Sequence, residues 1–173
     1  MEISQIIAYF AYLLPAIVVG IVAYYFFKGH IQNEEGRRRF LVQKEAQKQV
    51  LPLRLQAYER ITLFLERIDP KKLLLRVKPF SDAVQQYENL LIQNIDNEFE
   101  HNIAQQIYVS EDCWNTVTAA KNATAQLIRK TAMNEKVDTA DKLREMLLNH
   151  FMGEVTPSQK ALAYVKQEVN ELF

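Results

Sequence analysis

From Ile3 to Phe27 the chain reads ISQIIAYFAYLLPAIVVGIVAYYFF, twenty-five residues without a charge. No other feature constrains the fold as much, because a helix of about 20 such residues already crosses roughly 30 Å of bilayer hydrocarbon. Aromatic rings favour the headgroup boundary. Tyr9 and Tyr12 lie toward one end of the run, and Tyr24, Tyr25, Phe26 and Phe27 crowd the other. A cleaved signal peptide needs a basic start, a shorter apolar run and a small-residue cleavage site. This chain begins with Glu2 and closes its run in bulky aromatics, so the segment is expected to stay as an anchor over residues 1–28.

Orientation follows from the flanks, since Lys and Arg are retained on the cytoplasmic side. The leading flank has none, whereas Lys28, Arg37, Arg38, Arg39, Lys44 and Lys48 trail the run. The expected topology is N-terminus outside and the remainder cytoplasmic. Tyr24, Tyr25, Lys28 and Arg37 to Arg39 are the expected lipid contacts. Ala16 and Gly20, four apart, form a small-xxx-small pair that can admit another helix closely.

Gly and Pro together number nine of 173 residues, so elements should be long. The stretch GHIQNEEG (29–36) reads as a linker or frayed helix start within a basic juxtamembrane segment over 29–50, and Pro52 is expected to kink or restart the helix. A bundle domain should occupy 51–173. Leu51, Leu55, Tyr58, Ile61, Leu65 and Ile68 recur at spacings of three and four and share one helical face. Asp69 and Pro70 stop that helix or cap a new turn, and Leu73, Leu74, Leu75 and Val77 read as a packed connector. Ser81 is a candidate cap for a helix running to about Ile107, with Leu91, Ile95, Phe99, Ile103 and Ile107 sweeping roughly 160° of its surface.

Ser110 with Glu111 and Asp112 opens the next helix, carrying Trp114, Val117, Leu127 and Ile128. Asp138 or Thr139 opens another, with Leu143, Met146, Leu147 and Phe151, closed by Gly153. Thr156, Pro157 and Gln159 spell a capping box for a last helix through Leu162, Val165, Val169 and Leu172. The expected fold is all-α: one N-terminal transmembrane helix followed by a cytoplasmic bundle of about four to five helices.

Charge is segregated although the formal net charge is zero. Arg37 to Lys78 holds twelve Lys or Arg against four acids, whereas Ser81 to Asp112 holds no Lys or Arg against seven acids. Arg54 falls between Ile61 and Leu65 on an otherwise apolar face, and a buried guanidinium without a partner costs several kcal/mol. Glu88 or Glu98 is the expected partner.

Chemistry is sparse. Glu98-Phe99-Glu100-His101 holds Glu-x-x-His once, where di-iron bundles use it twice, and His30 and His150 lack a Glu three positions earlier. The single Cys113 cannot form an internal disulfide, which fits a reducing compartment, and Glu111 and Asp112 beside it oppose thiolate formation. No phosphate loop, zinc-ligand spacing or nucleophile elbow is present, so no catalytic, cofactor or metal residue is assigned and an enzyme is not expected. The aromatics sit at core spacing, which excludes a nucleic-acid stacking platform. Asn122-Ala123-Thr124 matches a glycosylation sequon that the expected compartment would leave unused.

The stretches LPLRLQAYERITLFLERI (Leu51 to Ile68) and NEFEHNIAQQIYVS (Asn97 to Ser110), with Trp114 just after, resemble an uncharacterised family of small anchored proteins from Bacteroidetes. The resemblance implies an envelope location and contributes no site residues. The functional expectation is therefore a membrane-anchored, non-catalytic scaffold or accessory subunit, with the bilayer and either a membrane protein or a second copy as partners, and neither nucleic acid nor a small-molecule substrate. Three alternatives stand beside it: a metal-dependent bundle enzyme built on Glu98 and His101, a stator-like rod resembling ATP synthase b subunits, and a lipid-surface binder acting through Arg37 to Arg39.

Overall fold

The computed structural model describes the backbone of residues 3–172 and the side chains of residues 12–29, 34 and 36–172. The side chains of Tyr9 and His30, and all of Glu2, lie outside the described residues. Among the described residues six α-helices follow one another: α1 (Ile3–Ile68), α2 (Pro70–Arg76), α3 (Val84–Glu100), α4 (Glu111–Ala132), α5 (Ala140–Phe151) and α6 (Pro157–Asn170). A 3-10 turn at Ile103–Ile107 lies between α3 and α4, and no strand occurs among the described residues. The chain divides into two compact units, Met1–Val50 and Leu51–Phe173.

In the first unit α1 runs without a break through Gly29–Gly36, so the expected linker is helix. Two glycines cost about 1 kcal/mol each relative to alanine, while extending an existing helix adds one hydrogen bond per residue fixed. The same helix passes through Pro52, which removes one bond without ending the element. Within the first unit, described side chains from Tyr12 to Phe27 are exposed all round apart from the half-exposed Ala23.

In the second unit the last turns of α1 bury Ala57, Tyr58, Ile61, Phe64, Leu65 and Ile68, and Leu51 and Leu55 are half-buried at the margin. Asp69 then caps α2, accepting from the Lys71 amide at 3.1 Å, with Pro70 at the first helical position. The expected connector is thus a short helix that buries Leu73 and Leu74. Its packing surface leaves Leu75 64% exposed.

Ala83 occupies the cap position of α3, not Ser81, whose hydroxyl bonds Gln86 instead. Tyr87, Leu91 and Ile95 are buried and Phe99 half-buried, but the helix stops at Glu100. The expected stripe therefore ends at Phe99, and Ile103 and Ile107 stand 48% and 73% exposed on the 3-10 turn. Met146 is likewise only half-buried on α5, beside the buried Leu143 and Leu147.

Caps on the later helices follow the sequence closely. Ser110 accepts from Cys113, Thr139 from Lys142, and Thr156 with Gln159 forms the reciprocal capping box. Helices α4 and α6 run antiparallel: Ser110 and Asp112 meet Glu168 and Glu171 at one end, and Ala119 to Ala123 meet Pro157 to Ala161 at the other. Small residues there let the backbones approach closely. Phe64, Phe99 and Trp114 form an aromatic ladder at 5.8 and 5.3 Å between centroids, joining α1, α3 and α4.

Candidate functional site

The most elaborate polar constellation joins α1, α6 and the start of α4. Arg54 donates from Nε to the Tyr108 carbonyl at 3.0 Å and from Nη2 to the Tyr58 hydroxyl at 3.1 Å. Tyr58, almost fully buried, donates in turn to Glu168 Oε1 at 2.6 Å. Ser110 completes the cradle, its amide on Oε1 at 3.1 Å and its hydroxyl on Oε2 at 2.8 Å. A cation and an anion are linked through a phenol, with each charge satisfied by further partners.

The electrostatics match that geometry. Burial pushes the Tyr58 hydroxyl up to about 12, reinforced by its bond to Glu168. Burial opposes ionisation of Glu168, yet hydrogen bonds from Tyr58 and Ser110 outweigh it and hold the carboxyl below its ordinary value. Cys113 is buried in the same corner, and burial followed by the Glu168 charge pushes its thiol up to about 12. Phenol and thiol both hold their protons more tightly than the free groups do, and the hydrogen bonds tie α1 and α6 to the start of α4.

This arrangement corrects the expected partner of Arg54. Glu98 instead accepts from Arg67 at 2.6 Å (Nε) and 2.5 Å (Nη2), with Arg76 Nη1 at 3.5 Å. Because α3 runs antiparallel to the end of α1, Glu98 sits level with Arg67, thirteen residues or about 20 Å along the axis from Arg54. Glu88 is buried and accepts from Gln85 at 3.1 Å. Helical angle placed Arg54 at a half-buried position correctly, but angle says nothing about the height at which a neighbouring helix passes.

A second constellation had no functional reading in the sequence. Asp69 Oδ2, while its other oxygen caps α2, accepts from Thr156 at 2.6 Å and Ser158 at 3.0 Å, with all three residues buried. It ties the start of α6 to the α1–α2 corner. Glu168 was also missed, although one signal existed: on α6 it continues the buried Ala161 and Val165 at the next step of three, where an apolar residue is expected.

Other expected residues stay apart. Ala16 and Gly20 lie on the exposed helix of the first unit, and a Cβ on Gly20 would meet nothing within 4 Å. Tyr24 and Tyr25 are exposed at 61% and 68%, with Lys28 Nζ 5.9 Å from the Tyr24 centroid. Arg37, Arg38 and Arg39 are exposed. His101 is exposed at the C-cap of α3, and among the described residues no group of three or more His, Cys, Asp or Glu is placed to hold a metal ion. Thr124 of the sequon is fully buried mid-helix, bonded to the Ala120 carbonyl at 2.9 Å.

Fold and constellation together define a class: an all-helical bundle protein whose first helix bears an apolar segment long enough to cross a membrane, with polar clamps between its helices. Within that class the chain belongs to a family of unknown function (DUF7935), whose model matches residues 4–172. No curated protein matches the chain, and no solved structure does.

Proposed function

We propose that this chain is a single-pass protein of a bacterial inner membrane, N-terminus outside, whose cytoplasmic bundle acts as a non-catalytic scaffold or accessory subunit. The observation that carries the reading is the Tyr12–Gly29 segment, with mean hydropathy 1.6 and none of it buried. Large side chains there are exposed on every face, Tyr12, Val19, Val22 and Phe26 among them. A helix apolar on one stripe is covered by one neighbour, whereas a helix apolar all round calls for a solvent of the same kind. Lipid is that solvent, and Tyr24, Tyr25 and Lys28 then fall at its boundary.

The bundle's polar groups support the second half of the reading. Its densest clusters hold helices to one another: Arg54–Tyr58–Glu168–Ser110, Asp69–Thr156–Ser158, and Arg67–Glu98. A bundle so clamped is a rigid body suited to bracing a partner.

Alkaline extraction of membranes containing the full chain tests the anchor. The chain should stay in the pellet, and Val19→Arg with Val22→Arg should release it or lower its accumulation, since an arginine at mid-span costs about 2.5–3.5 kcal/mol on insertion scales. Release of the unaltered chain would refute the proposal. One observation also favours the stator-like alternative: α1 is continuous through Pro52, where a kink or restart was expected. The two readings share the anchor and differ in whether the helix itself transmits force.

A further inference from the structure

Within the first unit, the described stretch of α1 beyond the apolar segment is exposed. Every side chain from Arg37 to Val50 is exposed, and this surface includes Phe40 at 63%, Leu41 at 52% and Val42 at 63%. No carboxylate among the described residues pairs with Arg37, Arg38, Arg39 or Lys44, and Lys48 has only Glu45 of its own helix, at 3.7 Å. Lipid is badly placed to serve them. With α1 unbroken, Arg37 lies about 15 Å beyond Phe27 along the axis, whereas headgroups extend only about 5–8 Å beyond the hydrocarbon.

The bundle carries the complementary charge. Of the seven acids between Ser81 and Asp112, Asp96 and Glu98 are ion-paired with Lys121 and with Arg67 and Arg76. Glu111 and Asp112 are exposed, with no cation paired to them among the described residues. Asp112 and Glu171 line one recess with Ser110, Tyr164, Gln167 and Glu168. Burial and then the charges of Asp112, Glu168 and Glu171 hold the Tyr164 hydroxyl above its ordinary value. Carboxylates that share a recess with a phenol suit a guanidinium, which can stack on a ring and pair bidentately with a carboxylate.

We propose that the Arg37–Arg39 surface of one copy docks into the Asp112–Tyr164–Glu171 recess of a second copy. This deepens the scaffold reading by naming the chain itself as a partner, and it rests on that reading only for the bilayer that concentrates the copies. Charge complementarity argues for the occupant: a chain of zero net charge presents a basic surface and an acidic one that, among the described residues, have no ion pair between helices. Such a contact joins unlike surfaces, so it either closes into a ring or propagates.

The test uses two differently tagged full chains co-expressed and extracted in mild detergent. Unaltered copies should co-purify, less so at high salt. Arg37→Glu, Arg38→Glu and Arg39→Glu in both copies should reduce recovery at least about tenfold, as should Asp112→Lys with Glu171→Lys in both. The decisive arm mixes the two variants: a glutamate-bearing chain with a lysine-bearing chain should recover most of the association. Loss in each variant without recovery in the mixture overturns the proposal, as does co-purification that ignores both sets of substitutions, which would put the contact elsewhere, such as the Ala16–Gly20 face. Thermal melts check that each variant is folded, and alkaline extraction reports on the anchor separately, so failure of one reading is distinguishable from failure of the other.

Discussion

Glu168 shows how much of this molecule depends on single side chains. Its carboxylate takes three hydrogen bonds from two elements, and hydrogen bonds to charged groups contribute about 1.5–3 kcal/mol each when buried. Glu168→Gln should therefore lower stability by about 1–3 kcal/mol, read from denaturant or thermal midpoints in detergent. The pH dependence has a definite sign. A folded-state value below the ordinary 4.5 means a contribution present above 4.5 and lost as pH falls through the folded value, so the variant should flatten the acid limb of the stability profile. Tyr58 acts at the other end: raised from 10 to about 12, its contribution is complete below 10 and fades as pH rises toward 12, and Tyr58→Phe should remove that alkaline slope. Asp69 offers an independent check. Asp69→Asn should cost about 1–3 kcal/mol, and a double-mutant cycle with Thr156→Val should show coupling, since both alter one 2.6 Å bond.

At the scale of elements, proline sorts by position. Pro70 and Pro157 sit at first helical positions, where a missing amide costs nothing, while Pro15 and Pro52 lie inside α1. Pro52→Ala should raise the thermal midpoint, because an interior proline costs about 3 kcal/mol relative to alanine; an unchanged or lower midpoint would contradict that cost at this position. The starts of the last three helices were legible because caps are local chemistry: Ser110, Thr139 and the Thr156–Gln159 box act within three residues of themselves, whereas α3 starts after Ala83 without a side-chain cap and was misplaced at Ser81. Helix ends and the order of neighbours were less legible. The period of four through Ile103 and Ile107 looked helical, yet the backbone leaves the helix at Glu100 and the turn buries Gln105 instead. Arg54 was placed correctly on its face and paired with the wrong carboxylate, since pairing depends on the relative height of helices. Glu168, 114 positions away in the chain from Arg54, could be suspected only from its place on the buried face of α6.

For the whole molecule, the apolar segment is the feature that both sequence and structure single out, and the further account of topology and assembly depends on it. The all-helical fold follows from the scarcity of glycine and proline and from apolar spacings of three and four, which no strand would use. Function was never legible to the same degree, because no nucleophile or ligand set could be read among these residues. The central claim is that the bundle lies on the cytoplasmic side of a membrane crossed once. A direct measurement is labelling by a membrane-impermeant maleimide in spheroplasts of a bacterial host, on a Cys113→Ala background that removes the one native thiol. The account predicts that a cysteine at Glu2 reacts in intact spheroplasts, while one at the exposed Lys130 reacts only after lysis. Labelling of Lys130→Cys in intact spheroplasts, with Glu2→Cys protected, would contradict it.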